Sequence, residues 1–259
     1  FLIENNFRPI VYDNRDTGLS SRIQNDSFNK DNVNKTIIRN YIRYYLRLPI
    51  KSEYTIDDMA DDGVSVLDHL NIENAHILGI SMGGMIAQIM ASSYPEKTKT
   101  FTLIASTAST PSPFNGPSKD VRRLFIERTK NVDATIEDRV SRTKKLFKLI
   151  GYQGIDLDTQ EFSDNVKLSI ERGGVDDTGF GRQLTAILGS KNRIEKVRSI
   201  SAPTLIIHGK EDPLIGVKNA YRSNKLIKGS KLVIIDNMRH LIEPPVFDQF
   251  KSDLLAHLK

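Results

Sequence analysis

Cysteine is absent from the 259 residues, which excludes disulfides and thiolate metal sites while leaving the compartment open. No apolar run approaches the length needed to span a bilayer, so stable membrane insertion is not expected. Internal repeats and low-complexity tracts are missing too. Neither sign of charge gathers in one segment: the net charge is +5, but Lys and Arg are dispersed among nearly as many acids. That pattern reads as a solvated basic surface rather than a nucleic-acid-binding face. An initiator methionine is also lacking. Residues 1–7 resemble the end of a helix leading into a strand at 9–12, as though the chain begins partway into a fold. With no signal peptide in view, the expected compartment is the cytoplasm. What remains is ordinary for a soluble globule, 39% hydrophobic and 27% charged, and a chain this long is commonly one α/β domain with an insertion.

One stretch points to a chemistry. Gly79-Ile80-Ser81-Met82-Gly83, followed by Gly84, comes directly after the apolar run Ala75-His76-Ile77-Leu78. Met85, Ile86, Ile89 and Met90 continue after it at helical spacing. A G-x-S-x-G pentapeptide between strand and helix forces the serine into a sharp turn that lifts its hydroxyl clear of the backbone. Bulk at Gly79 or Gly83 is expected to collide across so tight a turn. The competing reading is a glycine-rich loop that binds a phosphate or only turns the chain. Its spacing does not match a dinucleotide fingerprint, and no Gly-Lys-Ser/Thr follows.

Strands and helices alternate along the chain. Strands are expected at 9–12, 75–80, 100–105, 204–207 and 231–235, with helices at 54–70, after Ser81, at 217–227 and at 246–258. This β-α order implies an α/β fold whose sheet is mostly parallel, with helices on both faces. Residues 110–201 break the alternation. A proline-rich approach (Pro111, Pro113, Pro117) precedes amphipathic segments at 121–129, 136–149, 162–170 and 180–188, with no convincing strand. They are expected to form a helical lid over the carboxyl ends of the strands. The division is therefore 1–109 as the first part of the core, 110–201 as the lid and 202–259 as the second part of the core. A further amphipathic helix, at 33–48, carries Ile37, Ile38, Tyr41, Ile42, Tyr45 and Leu46 on one side. It is read as packed on the body or lid, with a membrane-surface or substrate-access role as the alternative.

A serine nucleophile needs a base, usually histidine, and the base needs an acid to hold its tautomer. Of five histidines, His69, His76, His208 and His257 sit where a structural role suffices. His240 follows the last strand, on a loop at the same sheet edge as Ser81. Asp212 lies on the loop after the preceding strand; its neighbour Glu211 competes, but adjacent side chains diverge and Asp212 is preferred. The segment Ser106-Thr107-Ala108-Ser109 offers no acid. The order Ser81, Asp212, His240 is that of α/β-hydrolases.

With the segments at 12–20, 54–62, 79–84, 208–213 and 238–240, the chain resembles the α/β-hydrolase-fold serine hydrolases over nearly its whole length. Within them it is similar to a branch of bacterial esterases that includes the aclacinomycin methylesterase type. The resemblance implies Ser81 as nucleophile, Asp212 as acid, His240 as base and the Met82 backbone N–H as one oxyanion donor, with no metal and no organic cofactor. In the family the second donor lies on an early His-Gly loop. That loop would fall upstream of Phe1, so the supplied chain is expected to lack the first strands and this donor. Arg239 stands where relatives usually carry glycine, which would perturb the histidine loop or add surface charge. The expected reaction is hydrolysis of a carboxylic ester of a small or lipophilic molecule through an acyl-enzyme. Alternatives are amide or iminopeptidase cleavage, carbon–carbon bond hydrolysis or perhydrolysis by the same triad, or a non-catalytic ligand-sensing relative. Glu161, Asp164, Asp176 and Asp177 would suit a peptidase if they received a free amino terminus. A serine at the elbow argues against dehalogenase and epoxide hydrolase chemistry.

Overall fold

The computed structural model describes residues 1–23, 33–109, 116–130, 134–173, 178–190 and 193–259. Strands β1 (Ala75–Ile80), β2 (Thr98–Ile104), β3 (Thr204–Gly209) and β4 (Lys231–Ile235) form one parallel sheet in the order β1-β2-β3-β4. The helices are α1 (Val33–Tyr45), α2 (Ile56–His69), α3 (Met82–Ser93), α4 (Lys119–Lys130), α5 (Ile136–Ile150), α6 (Gln160–Gly173), α7 (Thr178–Gly189), α8 (Ile194–Arg198), α9 (Lys218–Leu226) and α10 (Pro244–Leu258).

Successive side chains of a strand point to opposite faces, and this separates two cores. Ile206 joins Phe101 and Leu103 in a core shared with α2 and α3. Its neighbours Leu205 and Ile207 join Ile104 in a second core, closed by Val246, Phe250 and Leu254 of α10. All of β3 is buried, as a strand covered on both faces must be. Helix α2 starts at a capping box: the Asp58 N–H donates to the Thr55 hydroxyl at 3.1 Å, and the Thr55 N–H donates to the Asp58 carboxylate at 2.7 Å. The box fixes where the helix begins and so which stripe, from Ile56 through Met59 and Val64 to Leu67, turns inward.

Between β2 and β3 the described residues hold α4 to α8 and no strand. Helix α1 packs against α7 and α4, so it belongs with this helical layer. Pro111 and Pro113 of the expected approach lie outside the described residues. Among the described residues no helix is long and apolar enough to cross a membrane.

The strand expected at 9–12 is corrected. These residues pair with no strand among the described residues, and Val11 is 92% exposed. An apolar stretch becomes a strand only where a neighbour takes its N–H and C=O groups, and here none does. Instead, the turn that follows holds the segment down. Arg15 makes a fork of two 2.7 Å bonds to Asp62 of α2, while buried Asp16 takes Nε and Nη2 of Arg182 of α7 at 2.8 and 2.9 Å. Residues 1–7 form a short 3-10 turn over Ile3–Asn5.

Candidate active site

Strand β1 ends at Ile80 and α3 begins at Met82, so Ser81 alone makes the turn. It does so at φ 54° and ψ −119°, a conformation that costs a residue with a side chain about 1–3 kcal/mol. The surroundings hold it there: the Ser81 N–H donates to the Ile104 carbonyl at 3.0 Å, and the Ser106 hydroxyl donates to the Ser81 carbonyl at 2.7 Å. A Cβ on Gly79 would overlap the Gly83 carbonyl group, and one on Gly84 would press into Ser106 and Leu103 of the neighbouring chain segment. The expectation for Gly83 is corrected, since a Cβ there meets nothing within 4 Å. The crowding falls on Gly79, against which Gly83 presents its backbone, while a side chain on Gly83 would point into open space.

Asp212 and His240 lie on the loops after β3 and β4. The Asp212 Oδ2 accepts from His240 Nδ1 at 2.8 Å, and Oδ1 accepts from the N–H groups of Leu214 and Ile215, each at 2.8 Å. Both side chains are buried. Burial alone would raise the carboxyl pKa, but hydrogen bonds from His208, His240 and the Ile215 N–H outweigh it and bring it down to about 2. An ionised carboxylate only accepts, so His240 carries a hydrogen on Nδ1, and in its neutral form the lone pair lies on Nε2. Glu211 is exposed.

Two features of this pair were not foreseen. His208 lies against the same carboxylate, its Nε2 3.4 Å from Asp212 Oδ2 and donating to the Ile215 carbonyl at 2.6 Å. Gly209 lets the two loops meet: a Cβ there would strike the carbonyl oxygens of Met238 and Arg239. The strand-end sequence His208-Gly209 was visible, but the closeness of the second loop is a tertiary fact.

The histidine loop is fastened to α5. The N–H groups of His240 and Leu241 both donate to the Ile150 carbonyl, at 2.8 and 3.2 Å. Arg239 Nη1 donates to the Lys148 and Leu149 carbonyls at 3.3 and 2.9 Å. Arg239 therefore ties the loop to the end of a helix, and the expectation of a disturbance or a mere surface charge gives way to a bracing contact.

Ser81 and Met82 lie on the wall of a cavity of about 600 Å³. Its other walls come from α1 (Ile37, Tyr41, Tyr45), α4 (Arg122, Phe125), α7 (Phe180, Leu184) and the segment from Leu214 to Arg222. Helix α1 is thus a wall of the cavity as well as a packing element. Met82 opens α3, where the first N–H groups have no acceptor within the helix and are free to bind an oxyanion.

The remaining histidines have local partners or none of catalytic kind. His76 shares a 2.9 Å bond with Thr100, His257 bonds the Phe101 carbonyl at 3.1 Å, and His69 is exposed at the end of α2. Glu161 and Asp164 are exposed on α6 and do not line the cavity, while Asp176 and Asp177 lie outside the described residues. Among the described residues no three His, Asp or Glu side chains gather as a metal site requires.

Known proteins carry the same frame. Two rhodomycin D methylesterases, from Streptomyces peucetius and Streptomyces sp. (strain C5), are 24% and 26% identical to this chain, over 96% of it and 80% of their own lengths. The solved enol-lactonase from Burkholderia xenovorans LB400 superimposes with a TM-score of 0.67 at 19% identity, covering 95% of this chain and 79% of that one. The meta-cleavage product hydrolase of Pseudomonas fluorescens IP01 gives 0.63 at 21%, covering 81% and 73%. A family model described as alpha/beta hydrolase fold matches residues 2–242, and with most of its length in that match the chain belongs to the alpha/beta hydrolase fold family.

Proposed function

We propose that this family member hydrolyses carboxylic esters through an acyl-enzyme on Ser81, with His240 as base and Asp212 as orienting acid. The observation that carries the reading is the buried 2.8 Å bond between His240 Nδ1 and an ionised Asp212, at the same sheet edge as a serine held in a strained elbow on a cavity wall. Ser81 Oγ attacks the ester carbonyl while His240 Nε2 takes its proton, and Asp212 stabilises the imidazolium. The Met82 N–H binds the oxyanion. The imidazolium then protonates the leaving alcohol, and water activated by the same histidine releases the acid.

The two methylesterase relatives favour an ester over an amide. Against a peptidase, the described residues lining the cavity include no acid to receive a free amino terminus. The partner in this reading is a small-molecule ester, neither nucleic acid nor bilayer, and the setting is the cytoplasm, which fractionation against compartment markers tests. The decisive assay is a p-nitrophenyl ester series of increasing chain length with Ser81→Ala as control. Turnover lost in the variant, together with fluorophosphonate labelling of Ser81, is the expected result. Ester turnover that persists unchanged in Ser81→Ala sinks the assignment.

A further inference from the structure

Among the described residues the charges lining the cavity are one-sided. Arg122 of α4 and Arg222 of α9 line it, and among the described lining residues there is no Asp, Glu or Lys. Several arginines elsewhere pair with carboxylates, Arg15 with Asp62, Arg172 with Asp13, Arg182 with Asp16 and Arg198 with Glu195, while others such as Arg193 and Arg239 are spent on backbone carbonyls. On α4 the contrast falls between neighbours. Arg123 lies 4.0 and 3.9 Å from Asp120 and Glu127 of its own helix, whereas among the described residues the side chain of Arg122, on the cavity side, reaches the Tyr45 hydroxyl, at 3.4 Å, and no carboxylate. A guanidinium beside a hydrocarbon wall, with no anion of its own, attracts an anion from outside.

The rest of the lining defines the shape of that guest. Tyr41, Tyr44 and Tyr45 meet one another at tilted or edge-on angles with ring centroids 5.3 to 6.2 Å apart, and Phe125 lies tilted against Phe180 at 6.3 Å. Rings and aliphatic chains make up most of the remaining wall. Burial first, and then its neighbour Tyr45, push the Tyr41 phenol up to about 12, so at neutral pH it adds a hydroxyl dipole and no negative charge. An ammonium group would find no fixed anion here among the described residues.

We propose that the acyl group bound in this cavity is apolar, ring-bearing and carries a carboxylate that Arg122 and Arg222 engage, and that a cationic substituent at the same place is disfavoured. This rests on the ester reading above and names its substrate class. The net charge of +5 works in the same direction by raising the encounter rate of anions. Because Arg222 is exposed and Arg122 half-buried, the preference is set at about tenfold rather than thousands.

The test uses three p-nitrophenyl 3-phenylpropanoates that differ only at the para position of the acyl ring: carboxylate, methyl or trimethylammonium. Their methyl ketone analogues, which lack a leaving group, are titrated into Ser81→Ala protein by calorimetry. Expected are tighter binding and higher kcat/KM for carboxylate than for methyl by about tenfold, with trimethylammonium weakest and the spread shrinking at 1 M salt. In Arg122→Gln/Arg222→Gln the carboxylate-to-methyl ratio falls toward one. Equal binding of all three ketones, a preference for the cation, or a ratio untouched by the double substitution overturns the proposal. If the methyl compound is turned over with Ser81 dependence in that case, the ester reading stands without this one. If the ketones show the charge preference but no ester is hydrolysed, the ester reading fails and the anion preference stands.

Discussion

Arg239 sits one residue before His240 and spends its guanidinium on the last carbonyls of α5, the groups a helix leaves without partners. A cation at that end also meets the negative pole of the helix. Its two bonds and the two backbone bonds to Ile150 fix the height of the His240 loop over the sheet. Removing the side chain leaves the backbone pair and the Asp212 bond, so the loop loosens without detaching. The expected outcome for Arg239→Gly is a several-fold fall in kcat on a p-nitrophenyl ester, with KM little changed and stability lower by about 1 kcal/mol. Arg239→Lys, which restores a donor at the same helix end, recovers part of kcat. A KM rise with unchanged kcat would mean that the residue shapes the cavity and does not steady His240.

The elements meet at the turn after residues 9–12. Arg15 holds it to α2, while Asp16, 1% exposed and at φ 67°, holds it to α7 through Arg182. Gln183 of α7 adds a 2.9 Å bond to the Arg15 carbonyl. Breaking a buried ion pair by deleting one member leaves the other charged and dry, which costs about 3–5 kcal/mol. Arg182→Ala should show that loss in urea unfolding, Asp16→Ala a smaller one because Glu53 lies 3.7 Å from Arg182, and the double variant should lose less than their sum. Strict additivity would mean the two side chains do not depend on each other. None of this was legible in the sequence, because Asp16 and Arg182 are 166 residues apart. What could be read was local. Strands β1 and β4 were located to the residue, because their apolar runs are short and bounded by turn formers. Residues 9–12 have the same look, yet they pair with no strand among the described residues. The pattern of α1 showed an apolar side but could not say that this side faces a cavity, since packing and lining demand the same spacing. The elbow and the two loops were legible as motifs; Gly209 and His208 acquired their roles only when the second loop came alongside.

At the scale of the whole molecule, Asp212, the proposed acid, is also part of what holds the fold together. The Asp212 carboxyl titrates near 2 when folded, against an ordinary 3.8, because the hydrogen bonds from His208, His240 and backbone N–H groups outweigh the burial that opposes them. Asp16 is lowered as well: burial raises it, and the Arg182 bonds, the Ile23 N–H and other neighbours more than compensate. A group whose folded pKa lies below its unfolded one adds stability above the unfolded value and loses it as pH falls through the folded value. For Asp212 the difference converts to roughly 2 kcal/mol, fully present above about pH 5, mostly lost by about pH 2 and gone near pH 1. Unfolding free energy measured by urea at steps from pH 7 to pH 2 should therefore slip gently below about 6.5, where His76 and His257, lowered chiefly by burial, take up protons more readily unfolded, and then decline most steeply between about 4 and 2. In Asp212→Asn the curve starts lower at pH 7 and declines less over the same interval, because the group that gained protons on unfolding is gone. The two curves should converge toward pH 2. If they instead stay parallel across the whole range, the carboxylate of Asp212 is not tuned by its two histidines, and the stabilisation assigned to that buried charge belongs to other groups.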